Sequence, residues 1–405
     1  EYLMELVQEG KLPLELVDDA VRRILRVKMA LGLFDNPYLP EEKTGLYDEL
    51  PKEHLAVALD AARRSIILLK NENNVLPLKK EQRIALVGEL ADMPVENFGS
   101  WALAGREKDC VTIYQGLKNA GAHVDYARCC GVTSDFDQAE LERVAKDADV
   151  IVAVVGELAS MSGEAASRAD ISLPGMQERM LEAALSTGKP VIVVLMNGRP
   201  LALKWVAENV HAIVEAWQLG IQAGNAVAEV LFGVYNPSGR LCCTFPAMVG
   251  QCPRYYNHPN TGRPGGKSKF SSRYIDAPIG PLYPFGYGLS YTTFEYDNLE
   301  VFERRDSIAA KVEITNRGES AGEETAQLYV QDVTASIVRP VKELKAFKKV
   351  YLSPGERKVV TMEVPKSNLG FYDDNMNYLL EDGEFVVYVG ANSRDCLSQS
   401  INVKF

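Results

Sequence analysis

The chain has no apolar run that approaches the roughly 20 residues a membrane-spanning helix needs. Basic residues are also fewer than acidic ones. The chain has 44 Lys and Arg and 55 Asp and Glu, which gives a net charge of −11 at pH 7. Nucleic acids and anionic membranes bind clustered Lys and Arg, so this composition argues against both as partners. Residues 1–10 lack the basic start and apolar run of a signal peptide. They also lack an initiator Met, so we expect the natural N-terminus to lie upstream.

The cysteines form no framework that a disulfide or metal site requires. Seven are present, an odd number, with adjacent pairs at Cys129-Cys130 and Cys242-Cys243 and no C-x-x-C spacing. This pattern argues against a disulfide scaffold and against a zinc site. We expect free, mostly buried thiols, which favour a reducing compartment.

Common catalytic and nucleotide-binding motifs are missing as well. None of the four histidines stands beside a G-x-S-x-G elbow, which argues against a Ser/His/Asp hydrolase. The glycine loops at 88–92 and 196–200 lack the G-x-G-x-x-G signature of dinucleotide sites, and no P-loop occurs at a strand-to-helix turn. We therefore expect neither a metal nor an organic cofactor.

What the sequence does contain is an alternation of apolar runs and helical patterns over residues 56–258. A helix is predicted from about His54 to Leu69. The apolar runs are continuous and rich in β-branched residues, as strands buried on both faces are, and they lie at 84–87, 150–155, 191–195 and 212–214. Helical patterns between them predict an α/β sandwich domain with a largely parallel sheet.

Two further regions flank this domain. Apolar residues at helical spacing over 12–31 predict a helix with no partner in the chain, and residues 1–37 therefore fit the last helix of a domain upstream. Residues 38–55, with two prolines and many charges, are predicted to be a linker. After an extended crossing at 259–290, short alternating strands separated by turn residues predict a β-sandwich over 291–405.

The most informative segment is the polar loop that follows the strand ending at Val155. Such connections usually have about 2–6 residues, but this one extends to Pro174. It lies beyond the carboxyl end of its strand, where open α/β sheets bind ligands. Glu164 on this loop is a candidate proton donor, if burial or a neighbouring carboxylate keeps it protonated. The alternative is a solvated Glu164 that forms an ion pair with Arg168.

Two aromatic clusters, at 254–256 and 283–287, allow two interpretations. Aromatic faces stack on sugar rings, so the clusters fit the lining of a sugar site. They fit ordinary core and turn positions equally well, and the sequence does not decide between the two.

Several of these segments, in this order, resemble the bacterial β-glucosidase branch of glycoside hydrolase family 3. They are MALGLFDNPY (29–38), SIILLKN (65–71), LMNGRPL (195–201), NPSGRL (236–241) and YPFGYGLSYT (283–292). The resemblance covers essentially the whole chain. It implies that residues 1–37 are the terminal helix of a (β/α)8-type barrel, followed by the α/β sandwich and a fibronectin type III-like domain.

The resemblance also implies a retaining mechanism, in which an Asp on the barrel attacks the anomeric carbon and a Glu on a sandwich-domain loop is the acid/base. The matching residue here is Glu164, in GEAASR, and Arg168 and Asp170 are expected to hold its loop in place. Glu157 is a weaker alternative acid. A barrel takes about 250 residues, and fewer than 40 precede the predicted linker. The nucleophile is therefore expected to be absent and the chain alone inactive.

The partners implied are an oligosaccharide or aryl glycoside with a terminal non-reducing β-glucosyl residue, and the barrel domain of the intact protein. A homodimer is left open. The compartment is also open, since relatives are often periplasmic or secreted whereas unpaired cysteines favour the cytoplasm. The rival interpretations are a non-catalytic carbohydrate-binding or scaffolding module, and one chain of a split enzyme.

Overall fold

The computed structural model describes residues 2–38, 40 and 49–405, and the chain divides into two units between His54 and Leu55. The first unit contains helices α1 (Leu3–Gln8) and α2 (Leu14–Ala30). Helix α2 follows the extended Pro13, and none of its residues is buried. Of the predicted linker, residues 39 and 41–48 lie outside the described residues.

The next helix ends earlier than the sequence pattern predicts. Helix α3 (Lys52–Ser65) begins inside the predicted linker, and the residues expected to continue it to Leu69 instead enter strand β1 (Ile67–Asn71). Burial explains the difference, because Ile67 and Leu69 pack into one core of the sheet and Ile66 and Leu68 into the other. An alternation of this kind suits a strand and not a helix.

A six-stranded sheet forms the centre of the second unit, in the order β1-β6-β5-β4-β2-β3. Strand β1 is antiparallel to β6, and all the other neighbours are parallel. Every residue of the two central strands is buried. The remaining strands of the sheet are β2 (Arg83–Val87), β3 (His123–Ala127), β4 (Val150–Gly156), β5 (Val191–Met196) and β6 (Ala212–Glu215). The predicted largely parallel α/β sheet is confirmed.

Helices cover both faces of this sheet, which is why its central strands are apolar throughout. Residues of α5, α6 and α7 contribute to the core on one face, and residues of α3, α4 and α8 to the core on the other. Among the described helices, none is both long and apolar enough to cross a membrane. The helices are α4 (Ile113–Asn119), α5 (Gln138–Ala145), α6 (Gln177–Ser186), α7 (Lys204–Asn209) and α8 (Ala223–Leu231).

The C-terminal region is an antiparallel β-sandwich, as predicted. A four-stranded sheet in the order β10-β9-β14-β15 and a three-stranded sheet in the order β11-β8-β7 enclose one apolar core. A two-stranded hairpin, β12-β13, is added to them. The strands are β7 (Phe294–Glu303), β8 (Ser307–Asn316), β9 (Gly322–Asp332), β10 (Glu343–Leu352), β11 (Arg357–Pro365), β12 (Phe371–Tyr372), β13 (Tyr378–Leu379), β14 (Gly383–Gly390) and β15 (Cys396–Val403).

The two aromatic clusters noted in the sequence take part in packing. The ring of Tyr256 stacks on that of Phe285 with a centroid separation of 4.2 Å, and both rings contact Tyr329 edge-on. Tyr283 is buried and stacks on Tyr287. Because each cluster is turned towards other aromatic rings, the structure favours the packing interpretation over a sugar-binding surface.

The expectation that the cysteines are mostly buried is wrong. All seven are free, but Cys242 and Cys252 are exposed, Cys243 and Cys396 are half-buried, and only the other three are buried. The chain bends at Cys242 and Cys243, within the irregular segment that follows α8. The sequence pattern of small and apolar residues around this pair does not reveal the bend.

A buried ion pair joins the α/β domain to the β-sandwich. The Arg240 Nη2 atom lies 2.5 Å from Glu324 Oε2, and the two side chains are only 8% and 2% exposed. The hydroxyl of Tyr296 donates a second hydrogen bond, of 2.7 Å, to the Glu324 carboxylate. The two charges are tolerated away from water because each has its partner.

Replacing Glu324 by Ala is expected to destabilise the protein by about 3–5 kcal/mol, because Arg240 would remain buried without a counter-charge. Urea-induced unfolding followed by circular dichroism measures this change. The matched control is Glu300→Ala, which removes an exposed carboxylate 3.4 Å from Lys311. That control should cost less than about 1 kcal/mol. Equal losses for the two variants would contradict a special role for the buried pair.

Candidate functional site

Four loops meet at one edge of the six-stranded sheet, beyond the carboxyl ends of β2, β4, β5 and β6. Ligands of open α/β sheets bind at this edge. The longest loop that carries predicted site residues is the β4–α6 loop, residues 157–176. The loops after β2 and β5 supply residues that hold it.

The carboxylate of Glu157 lies at the base of the β4–α6 loop and has no exposed surface. Its Oε1 atom is 2.6 Å from Nη1 of Arg168 and 3.1 Å from Nε of Arg199. Two guanidinium groups thus enclose one carboxylate. This arrangement leaves Glu157 no face on which a substrate can lie, and it favours an anchoring role over that of the acid.

Arg199 was not singled out in the sequence, although its glycine loop was. It extends from the loop after β5, and its Nη2 atom donates to the carbonyl oxygens of Met161 and, at 2.7 Å, of Ala166. These two carbonyls lie on either side of Glu164 in the chain. Arg199 therefore holds the β4–α6 loop on both flanks of the predicted acid.

Arg168 and Asp170 fix the second half of the loop. The Nη2 atom of Arg168 donates to the carbonyl oxygen of Ser172 at 3.0 Å. Asp170 accepts hydrogen bonds from the backbone N–H and the hydroxyl of Ser172 at 2.9 and 2.6 Å. The hydroxyl bond is the main reason that the pKa of Asp170 is lowered. The role of Arg168 and Asp170 in holding the loop stays a prediction, and these contacts are compatible with it.

Glu164 itself is exposed, and within the described residues it forms no hydrogen bond or ion pair. The alternative of an ion pair with Arg168 is contradicted, because that guanidinium group is bound to Glu157 instead. The neighbouring residues Gly163 and Ala165 both have left-handed backbones, with φ of +93° and +57°. For Ala165 this conformation is strained, and strained residues cluster at functional sites.

The loop after β2 packs directly beside Gly163. A Cβ atom on Gly163 would overlap the hydroxyl of Ser100 and would lie 3.5 Å from the indole nitrogen of Trp101. The Trp101 side chain is 69% exposed, so an aromatic ring stands free beside the Glu164 turn. Sequence reasoning missed Trp101, and its only signal is an aromatic residue in a Gly-rich stretch that follows a strand.

Glu215, at the end of β6, is a second buried carboxyl group at this edge. It accepts hydrogen bonds from the backbone N–H of Trp217 at 2.9 Å and from Nδ2 of Asn197 at 3.2 Å. Burial outweighs both bonds and raises the pKa of Glu215 to about 8. Glu215 is therefore largely protonated near neutral pH, and it supports the loops as an uncharged group.

Because the pKa of Glu215 rises from an ordinary 4.5 to about 8 on folding, the folded state binds a proton that the unfolded state has released. The free energy of unfolding should fall as the pH rises from about 4.5 to about 8, by at most about 1.4 kcal/mol per pH unit. Glu215→Gln should remove this pH-dependent component. The free energy of unfolding of the variant, relative to that of the wild type, should therefore rise between pH 5 and pH 8. Urea unfolding at pH 5, 6, 7 and 8 measures the slope, with Glu182→Gln at a helix surface as control. An unchanged slope in Glu215→Gln would contradict a neutral buried Glu215.

Within residues 2–38, 40 and 49–405, no three His, Cys, Asp or Glu side chains cluster as metal ligands. At the sheet edge, the carboxyl group of Glu164 is exposed and unpaired, and its loop is held by Arg168 and Arg199. It can transfer a proton to or from a molecule placed against the loop.

Two known protein domains match this chain. Residues 66–291 match the glycosyl hydrolase family 3 C-terminal domain, and residues 324–393 match a fibronectin type III-like domain. The chain is 43% identical to the periplasmic beta-glucosidase of Salmonella typhimurium, over 97% of this chain and 56% of that protein. It is 38% identical to a beta-xylosidase of Formosa agariphila, over 99% of this chain and 57% of that protein.

Solved structures give the same result. A mutant beta-glucosidase of Listeria innocua in complex with laminaribiose superimposes with a TM-score of 0.92 at 40% identity, over 100% of this chain and 57% of that one. A beta-glucosidase involved in saponin metabolism from intestinal bacteria superimposes with a TM-score of 0.88 at 33% identity, over 99% of this chain and 61% of that one. The chain thus spans little more than half the length of the relatives it matches.

Proposed function

Because the chain belongs to glycosyl hydrolase family 3, we propose that it is the part of a retaining β-glucosidase that carries the acid/base, and that Glu164 is that residue. One observation carries the proposal. Of the three carboxylates considered in the β4–α6 loop, Glu157 is enclosed by arginines, Asp170 is bound to Ser172, and Glu164 alone is exposed and unpaired.

In this proposal Glu164 protonates the glycosidic oxygen as the bond to the sugar breaks, and its carboxylate then takes a proton from the water that releases the sugar. The nucleophile is an Asp on a (β/α)8-type barrel, which accounts for the greater length of the relatives. Residues 1–37, which hold two helices and not the single one expected, form the end of that barrel in this proposal, and the unburied apolar side chains of α2 support this.

The proposed substrate is a β-glucoside with a terminal non-reducing glucosyl residue. The support is indirect: most of the named relatives are beta-glucosidases, and one of them was solved with laminaribiose. A beta-xylosidase is among the relatives too, so a pentosyl group is the main competitor. The free indole of Trp101 is well placed to stack on the sugar or aglycone next to the bond that Glu164 would protonate.

The proposal predicts that the 405-residue chain alone does not hydrolyse cellobiose, because a retaining mechanism needs a second carboxylate about 5–5.5 Å from the first. Joined to the barrel of a close relative, the chain should hydrolyse it, and Glu164→Gln should then lower kcat by about 10²–10⁴-fold. The loss should be smaller on 2,4-dinitrophenyl β-glucoside, whose phenolate leaves without protonation.

The control for this series is Glu182→Gln, which removes a half-buried carboxylate on α6 that pairs with Arg179 and should leave activity unchanged. If Glu164→Gln leaves kcat of the joined protein unchanged, Glu164 is not the acid/base. Sugar binding without turnover in the joined protein would favour the carbohydrate-binding alternative instead.

Arg199 is the proposed positioning residue for Glu164. Lys cannot donate to a carboxylate and two carbonyl groups from one planar group, as Arg does. Arg199→Lys should therefore leave the turn that carries Glu164 less well fixed in position. Misplacement by about 1 Å costs up to about 10²-fold in rate. We therefore expect kcat of the joined protein to fall 10- to 100-fold with KM little changed. Arg179→Lys on the surface of α6 is the control, and a change confined to KM or to stability would contradict the positioning role.

A further inference from the structure

Cys242, which is followed in the chain by Cys243, lines an apolar groove that contains neither Glu164 nor the two arginines that hold its loop. The groove has a volume of about 890 Å³, and Cys242 is part of its lining. The other walls come from α3, from residues 217–221 and from β10, where Phe347 is the exposed aromatic residue. A volume of this size suits a small organic ligand.

Backbone hydrogen bonds hold the chain on either side of the two cysteines. The N–H of Leu241 donates to the carbonyl of Tyr287 at 2.8 Å, and the N–H of Phe245 donates to the carbonyl of Tyr283 at 3.0 Å. Between these two points the chain bends, so that Cys242 is exposed while Cys243 packs partly against the core.

This geometry favours one bridging atom over a disulfide. The Cα atoms of consecutive residues lie about 3.8 Å apart across a trans peptide, whereas disulfides usually join Cα atoms about 4.4–6.8 Å apart. A direct S–S bond between neighbours is therefore strained. A larger atom that binds both sulfurs does not need them to approach so closely, and thiolates select soft elements.

The reactivity of Cys242 points the same way, whereas its hydrogen bond and burial raise the pKa of Cys243. The hydrogen bond from Cys243 lowers the pKa of Cys242 to about 6, and the thiolate is the form of cysteine that attacks an electrophile. The other adjacent pair, Cys129 and Cys130, is buried, and burial raises the pKa of Cys129 to about 12. Adjacency in sequence is thus shared by the two pairs, whereas access and reactivity are not.

We propose that Cys242 and Cys243 form a dithiol site for trivalent arsenic, and that the apolar groove accepts the organic group of an aryl arsenical. With phenylarsine oxide, two S–H bonds and the arsenic–oxygen double bond break and two As–S bonds form. The two protons leave with the oxygen as water. Arsenic remains trivalent, so the step needs no oxidant or reductant.

Phenylarsine oxide added to the reduced 405-residue chain should give one adduct per chain in the intact mass, equal to one phenylarsenic group in place of two hydrogens. Proteolytic mapping of the wild type should place it on the peptide that contains residues 242 and 243. A dithiol such as 2,3-dimercaptopropanol should reverse the adduct, and a monothiol at equal thiol concentration should not.

The variants Cys242→Ser and Cys243→Ser should each lose the adduct. The double variant Cys129→Ser/Cys130→Ser should keep it, and so should Cys252→Ser, which removes an exposed thiol without an adjacent partner. Within the groove, Phe347→Asp should weaken retention of the phenyl arsenical at least tenfold while changing retention of arsenite little. No adduct on the wild type, an adduct on another peptide, or an adduct that survives Cys242→Ser would each overturn the proposal.

Discussion

The enclosure of the Glu157 carboxylate by Arg168 and Arg199 is the interaction on which the site depends. A carboxylate with no exposed surface is costly unless it is paired, and here it is paired twice. The pairing leaves one positive charge in excess, which the carbonyl oxygens of the loop offset by accepting hydrogen bonds. The same contacts thus neutralise a buried charge and fix the path of the chain around Glu164.

This arrangement explains how a solvent-exposed loop can present a side chain in a defined place. Regular hydrogen bonding ends with β4, and a loop of this length would otherwise lose much conformational entropy on ordering. The two guanidinium groups substitute for that missing ladder, each bound to the anchor and to backbone carbonyls. The left-handed turn at Gly163 and Ala165 then directs Glu164 outward. Rigidity at the base and exposure at the tip therefore come from the same set of contacts.

The sequence predicted the sheet well because its strands are continuous β-branched runs, a local signal that survives without any knowledge of contacts. The end of α3 was wrong because Ile66–Leu69 fit either a helix or a strand until their pairing with β6 is known. The β4–α6 loop was found through its length and polarity. Arg199 and Trp101 were missed because they come from other loops, 35 and 63 residues from Glu164 along the chain, and periodicity carries no information about such contacts.

The ion pair between Arg240 and Glu324 has a consequence for motion. Rotation of the β-sandwich away from the α/β domain would separate two opposite charges that lie almost entirely out of water, at a cost of several kcal/mol. A hinge at this junction would therefore be populated only rarely. The ion pair therefore couples the β-sandwich to the α/β domain, and movement in this part of the chain is expected mainly in the loops at the sheet edge.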